Sequence, residues 1–254
     1  MLVDGHNLLC KAFFGLPERL LPDGRPIQGV IGFIGMLRKI IKLMAPTHIL
    51  VVFDTEEIPA RSALNTQYKK NRIDFTGIPD RANPFSQLSG ICQTLRFLGI
   101  RFIEEPGVEA DDMIASYAVQ CEGQVIIVSS DSDFFPLINN NIVLLRYQGK
   151  HTMIFDENTV EKRYGIRPSR FLEFKALTGD KSDNIRGIKG VGSKTALKIL
   201  GGLRRLSPEE EILFSDNMNI LRLHTSIPLP VSIDRLSLDP RILSIQFSEL
   251  MNTL

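Results

Sequence analysis

Three short apolar runs that lead into aspartates constrain this chain more than any other feature. Leu2-Val3 leads to Asp4, Ile49-Leu50-Val51-Val52-Phe53 leads to Asp54, and Val125-Ile126-Ile127-Val128 is followed by Asp131. Unbroken apolar strands, rather than alternating ones, suit a parallel sheet buried on both faces. Helical stretches lie between them. Gly29 to Leu43 carries apolar residues at helical spacing ahead of Pro46, and Ser86 to Leu98 reads similarly with Gly99 as its stop. Strands alternating with helices predict an α/β domain whose strand C-termini share one edge, where such sheets place their sites.

From about Glu161 the character changes to short helical segments joined by glycine turns. Gly187-Ile188-Lys189-Gly190-Val191-Gly192 leads into Ser193-Lys194-Thr195-Ala196-Leu197-Lys198-Ile199-Leu200, with Ser193 expected to cap that helix. The tail from about Ser207 contains Ile227-Pro228-Leu229-Pro230 and is expected to be a packing arm that is not helical throughout. The 254 residues thus divide into a core over 1–160 and a helical unit with its arm over 161–254. Three cysteines without CxxC spacing (Cys10, Cys92 and Cys121) indicate neither a disulfide framework nor a structural zinc site. No apolar run reaches the roughly 18 residues of a membrane span. An aspartate as early as Asp4 does not suit a secretory leader. A soluble, cytoplasmic protein that meets no membrane is expected.

Net charge is only +1, from 30 basic and 29 acidic side chains. That balance argues against polyanion binding by bulk charge unless many acids are gathered in one place. Nine are candidates for gathering: Asp4, Asp54, Glu109, Asp111, Asp112, Asp131, Asp133, Asp180 and Asp183. Setting these nine aside leaves 20 acidic side chains against 30 basic ones, so the remaining surface is strongly basic. Taken singly, Asp4 or Asp54 reads as a helix cap or turn, and Glu109-Asp111-Asp112 as acids favoured by a helix N-terminus. Independent caps need not converge, whereas the strand-end acids share one edge if the sheet is parallel. Like charges at about 4 Å repel by roughly 4 kcal/mol at an effective dielectric near 20. A cation or protonation must therefore offset the repulsion, and all-oxygen ligands favour Mg²⁺ or Mn²⁺ over zinc. Two such ions make a clamp for in-line phosphodiester hydrolysis.

The stretches LVDGHNLLCKAFFGL (2–16), VVFD (51–54), YKKNR (68–72), GVEADDMIAS (107–116), SSDSDFFPLI (129–138), ALTGDKSDNIRGIKGVGSKTALKIL (176–200) and LRLHTSIPLP (221–230) span nearly the whole chain. Their combination resembles the bacterial 5′-3′ exonuclease/flap endonuclease family, which includes the amino-terminal nuclease domain of DNA polymerase I. The resemblance implies a two-metal nuclease on a PIN-like, mostly parallel sheet flanked by helices, with a helix–three-turn–helix subdomain. It implies that Asp4, Asp54, Glu109 and Asp111 hold a first Mg²⁺ or Mn²⁺. Asp131, Asp133 and Asp180 then hold a second, with Asp112 and Asp183 as further acids. It places Tyr68, Lys69 and Arg72, preceded by Arg61, on a basic helical arch over about 57–85, beneath which single-stranded 5′ ends pass. Lys69 and Arg72 would grip the scissile phosphate there. The turn with Gly190, Gly192, Ser193 and Lys194 resembles a segment that holds a duplex backbone and binds K⁺ through carbonyl oxygens, with Lys189 and Lys198 adding phosphate contacts.

The implied activity is structure-selective 5′-3′ exonuclease and flap endonuclease cleavage by a monomer acting on DNA with 5′ flaps, 5′ ends or branched junctions. A branched-DNA binding module that no longer cuts, or a PIN-type ribonuclease, are the alternatives. The former needs lost ligands, and the latter leaves the arch and glycine turn unexplained. Phe13 and Phe14 read either as base-stacking platforms or as core, and the role of His6 is open. The chain begins three residues before Asp4, where family members carry a longer first strand. It ends where polymerase I continues, as expected of a stand-alone nuclease or an excised domain.

Overall fold

The computed structural model describes residues 1–55, 70 and 73–244. Six strands form one sheet: β1 (Leu2–Asp4), β2 (Leu50–Phe53), β3 (Arg101–Glu104), β4 (Val125–Val128), β5 (Ile142–Arg146) and β6 (Met153–Phe155). Their spatial order is β3-β2-β1-β4-β5-β6, parallel throughout except for β6, which runs antiparallel to β5. The expected mostly parallel α/β sheet is present, and its order reverses between β1 and β4. A crevice at such a reversal, outside the strand C-termini, is where open α/β sheets bind ligands.

Side chains alternate between the faces, and both faces are covered. Leu2, Leu50, Val52, Ile127 and Leu144 enter one core with α4 (Ala110–Gln120). Val3, Val51, Phe53, Val128 and Leu145 enter the other with α1 (Gly5–Gly15), α2 (Gln28–Met44) and α3 (Leu88–Phe97). Two-sided burial is why these strands read as continuous apolar runs. Register then aligns the site: Asp4 pairs with Val52, and Val3 with Val128. Asp4, Asp54 and Asp131 therefore all lie beyond or at the same sheet edge. Gly5 makes the immediate turn from β1 into α1 possible, because a Cβ there would lie 2.4 Å from the Phe53 ring.

The helical unit adds α5 (Glu157–Tyr164), α6 (Phe171–Thr178), α7 (Ser193–Leu200) and α8 (Pro208–Leu221). The change of character read near residue 161 falls inside α5. A two-stranded hairpin, β7 (Gly179–Asp180) with β8 (Ile185–Arg186), follows α6 and carries Asp180. The tail does not begin as an arm: α8 comes first, started by a capping box between Ser207 and Glu210. The extended segment follows it, and its residues 224–231 lie along α4, donating the His224 N–H to Asp112 and accepting hydrogen bonds from Ser116, Tyr117 and Gln120. Ser193 is the first residue of α7 rather than its cap; Gly192 holds the cap position and no side chain caps the helix. No helix among the described residues is long and apolar enough to cross a membrane.

Candidate metal centre at the sheet edge

Asp4 closes β1 and at once starts α1, accepting the Asn7 N–H at 3.0 Å. Its other carboxylate oxygen accepts the Ser129 hydroxyl at 2.7 Å. The same Ser129 oxygen accepts the Asp131 N–H at 3.0 Å. One hydroxyl thus ties the ends of β1 and β4 together. Asp4 is buried, and burial pushes its carboxyl up to about 6, with neighbouring Asp54 and Asp131 adding to the rise and the two hydrogen bonds opposing it.

Asp54 follows β2 and accepts the Ala110 N–H at 2.8 Å. That bond anchors the first turn of α4, which presents buried Glu109 at the cap and half-buried Asp111 one residue further. His6 Nδ1 stands 3.4 Å from Asp54, with its ring against Phe53 and Phe85 and its buried Nε2 without a hydrogen-bond partner among the described residues. Asp112 is buried on α4, and its carboxylate accepts the His224 N–H at 2.9 Å. That carboxylate oxygen holds the extended segment against α4.

Asp131 turns the chain after β4 by accepting the Asp133 N–H at 2.9 Å. Asp133, Asp180 and buried Asp183 then form a cluster whose carboxylate oxygens lie within 4.8 Å of one another. It is the one such group of three among the described residues. Lys175, buried on α6, pairs with both Asp133 and Asp180. Burial, then the charge of Asp131, raises the Asp133 carboxyl to about 7 despite Lys175. Burial opposes ionisation of Asp180 too, but Lys175 and the Ser182 N–H and hydroxyl outweigh it and hold this carboxyl below its ordinary value. Burial likewise disfavours the charged Lys175, and the two aspartates more than compensate, raising its pKa. The three clustered acids offer carboxylate oxygens, the donor set of hard divalent cations, so these residues fit such an ion.

Of the sequence-predicted acids, Asp54 and Asp131 lie close enough to Asp4 to raise its carboxyl, Asp131 does the same to Asp133, and Asp133, Asp180 and Asp183 form the tight cluster; Glu109 and Asp111 sit at the start of α4, which Asp54 anchors through the Ala110 N–H. Gly190, Gly192, Ser193, Lys189, Lys194 and Lys198 are all exposed at the start of α7 and along it. Arg61, Tyr68, Lys69 and Arg72, and most of the expected arch, lie outside the described residues. Phe13 belongs to the core, whereas Phe14 is 63% exposed. Sequence reasoning missed Ser129 and Lys175. A lysine inside the apolar run Phe171–Leu177, five residues before Asp180, was the available signal for the second.

An acid-edged α/β sheet joined to a helical unit with a glycine turn defines the class of protein. Residues 1–165 match the family model described as the 5′-3′ exonuclease N-terminal, resolvase-like domain, and residues 166–213 the 5′-3′ exonuclease C-terminal SAM fold. The 5′-3′ exonuclease of Aquifex aeolicus is 34% identical over 78% of this chain and 68% of its own length. The thermostable DNA polymerase I of Thermus thermophilus is 34% identical over 92% of this chain but only 30% of its own. The chain thus spans under a third of that polymerase. Among solved structures, the T5 D15 protein co-crystallised with metal ions aligns over 100% of this chain and 98% of its own at a TM-score of 0.72 and 18% identity. The catalytic core of Rad2 in complex with a DNA substrate aligns over 92% and 84% at 0.55 and 16%. The chain belongs to the 5′-3′ exonuclease family.

Proposed function

We propose that this chain is a divalent-metal-dependent nuclease that hydrolyses DNA phosphodiesters at 5′ ends and 5′ flaps, acting as a cytoplasmic monomer. The observation that supports this reading is the tight cluster of Asp133, Asp180 and Asp183, with Ser129 tying Asp4 to Asp131 where the sheet order reverses between β1 and β4. Asp4, Asp54, Glu109 and Asp111 would hold one ion, and Asp131, Asp133, Asp180 and Asp183 the other. When bound, Mg²⁺ or Mn²⁺ supplies an activated water and neutralises the charge that builds on the phosphate oxygens.

The protein's own part is to hold these oxygens in place before substrate arrives. Asn7, Ser129 and Ala110 fix Asp4 and Asp54 through hydrogen bonds, which limits the reorganisation left for the reaction. Lys69 and Arg72 would grip the scissile phosphate, with Arg61 and Tyr68 beside the single strand. The start of α7 offers backbone N–H groups that no side chain caps, next to exposed Lys189, Lys194 and Lys198, a combination suited to a duplex backbone. K⁺ would sit at the preceding turn among its carbonyl oxygens.

A fluorescent 5′-flap DNA incubated with Mg²⁺, and in parallel with EDTA, tests the reading. Metal-dependent release of short 5′ products is expected, and no cleavage by wild-type protein under any divalent ion would sink it. An RNA flap in the same assay separates DNA from RNA preference. Preferential cleavage of the RNA would favour a ribonuclease.

A further inference from the structure

Lys175 is only 7% exposed, yet its ammonium pairs with two of the three acids that form the tightest acidic group in the described residues. An ammonium or a carboxylate taken from water alone costs several kcal/mol, so each partner makes the other's burial tolerable. The ammonium also uses oxygens that a divalent ion would need. A dication entering among Asp133, Asp180 and Asp183 meets a like charge within a few ångströms and must compete for the same lone pairs.

We infer that Lys175 is a resident counter-ion of the second metal site, resting on the metal-binding assignment above. It holds Asp133 and Asp180 together in the metal-free protein and weakens their affinity for a divalent ion. An anion brought close, such as the substrate's phosphate, gives the displaced ammonium a new partner. Full occupancy of the pair is thereby linked to the presence of DNA, which restrains metal loading of the empty enzyme. Lys175 is in this sense a positioning residue.

Calorimetric titration of Mn²⁺ into wild type, Lys175→Met and Lys175→Arg without DNA tests this. Lys175→Met is expected to bind an ion about tenfold more tightly or to take up one more ion, with Lys175→Arg within about threefold of wild type. A merely structural lysine would give the opposite, because a disturbed site binds metal more weakly. Equal or weaker binding by Lys175→Met overturns the inference. No uptake by any of the three sinks the metal assignment instead. If circular dichroism shows Lys175→Met unfolded, the ¹⁵N ammonium resonance of Lys175 in wild-type protein decides. A shift as Mg²⁺ fills the site supports the displacement, and an unmoved signal at saturation overturns it.

Discussion

The Asp112 carboxylate accepts the His224 backbone N–H at 2.9 Å and so fastens the extended segment after α8 to α4. The Ser116 hydroxyl continues the contact by donating to the His224 carbonyl at 3.1 Å. Seven residues further along the segment, the Val231 carbonyl accepts the hydroxyl of the adjacent Tyr117 at 2.7 Å. Asp112→Ala, which removes the buried carboxylate that holds the His224 N–H, is expected to cost about 1–3 kcal/mol in urea unfolding. Asp112→Asn keeps an acceptor oxygen and should cost less. Asp111→Asn should leave stability near wild type or slightly above it, with flap cleavage reduced by orders of magnitude. Unchanged stability in Asp112→Ala together with lost Mn²⁺ binding would reassign Asp112 to the metal.

The metal-free protein should become less stable as pH rises from about 5 to 6, before the buried Met1 amine, held down to about 6, acts in the opposite sense between about 6 and 8. Asp4 and Asp133 have carboxyls raised to about 6 and about 7, so the folded state holds more protons than the unfolded state once pH passes the unfolded value of 3.8. The contribution of these two acids then falls with pH until both are ionised. Asp180 is shifted downward and Lys175 upward, so neither changes charge in this window. Melting temperatures in EDTA across pH 5–8 check the slope. Saturating Mg²⁺ should flatten or reverse it, because the ion favours the ionised acids.

Gly187 has a geometric duty distinct from DNA contact. A Cβ there would lie 2.3 Å from the Thr178 carbonyl, and one on Gly179 would lie 2.3 Å from the Gly187 nitrogen. Both obstacles are backbone and cannot swing aside. Gly187→Ala is expected to destabilise by about 2 kcal/mol or more and to abolish cleavage, since Asp180 is the residue after Gly179. Gly190 meets nothing within 4 Å but has φ +79°, so Gly190→Ala should cost only about 1–2 kcal/mol. Thermal melts of the two variants, set beside their DNA affinities, check the contrast.

Which parts were legible in the sequence follows from burial. β1, β2 and β4 announce themselves because both faces are covered and their apolar residues run unbroken. β3 begins with exposed Arg101 and ends with exposed Glu104, as an edge strand can, and the antiparallel β6 exposes Met153 and Ile154. Neither looks like a buried strand. β5 is buried but ends at Arg146 rather than an acid, so a reading keyed to terminal aspartates passes over it. Asp4, Asp54 and Asp131 were legible as neighbours because a parallel sheet brings its strand C-termini to one edge. Their partners were not: Ser129 reaches Asp4 across 125 positions of sequence, and no local pattern marks that pairing.

Ser129→Ala tests how far one hydroxyl governs the site. Ser129 Oγ donates to Asp4 at 2.7 Å and receives the Asp131 N–H at 3.0 Å, so its removal frees a carboxylate on β1 and a turn after β4 in one step. Alanine fills nearly the same volume, and the loss of hydrogen bonding to a buried charged group should cost about 1–3 kcal/mol of stability. Asp4 also loses a bond that favours its ionised form, which raises its carboxyl further and leaves more of it protonated near neutral pH. Cleavage should therefore fall by about 10–100-fold, the usual scale for removing a group that orients a metal ligand. The loss should be partly recovered at higher pH or higher Mg²⁺, since both drive Asp4 towards its ionised state. A rate profile over pH and Mg²⁺ measures this. A uniform loss that neither variable relieves would show that Ser129 acts on packing alone.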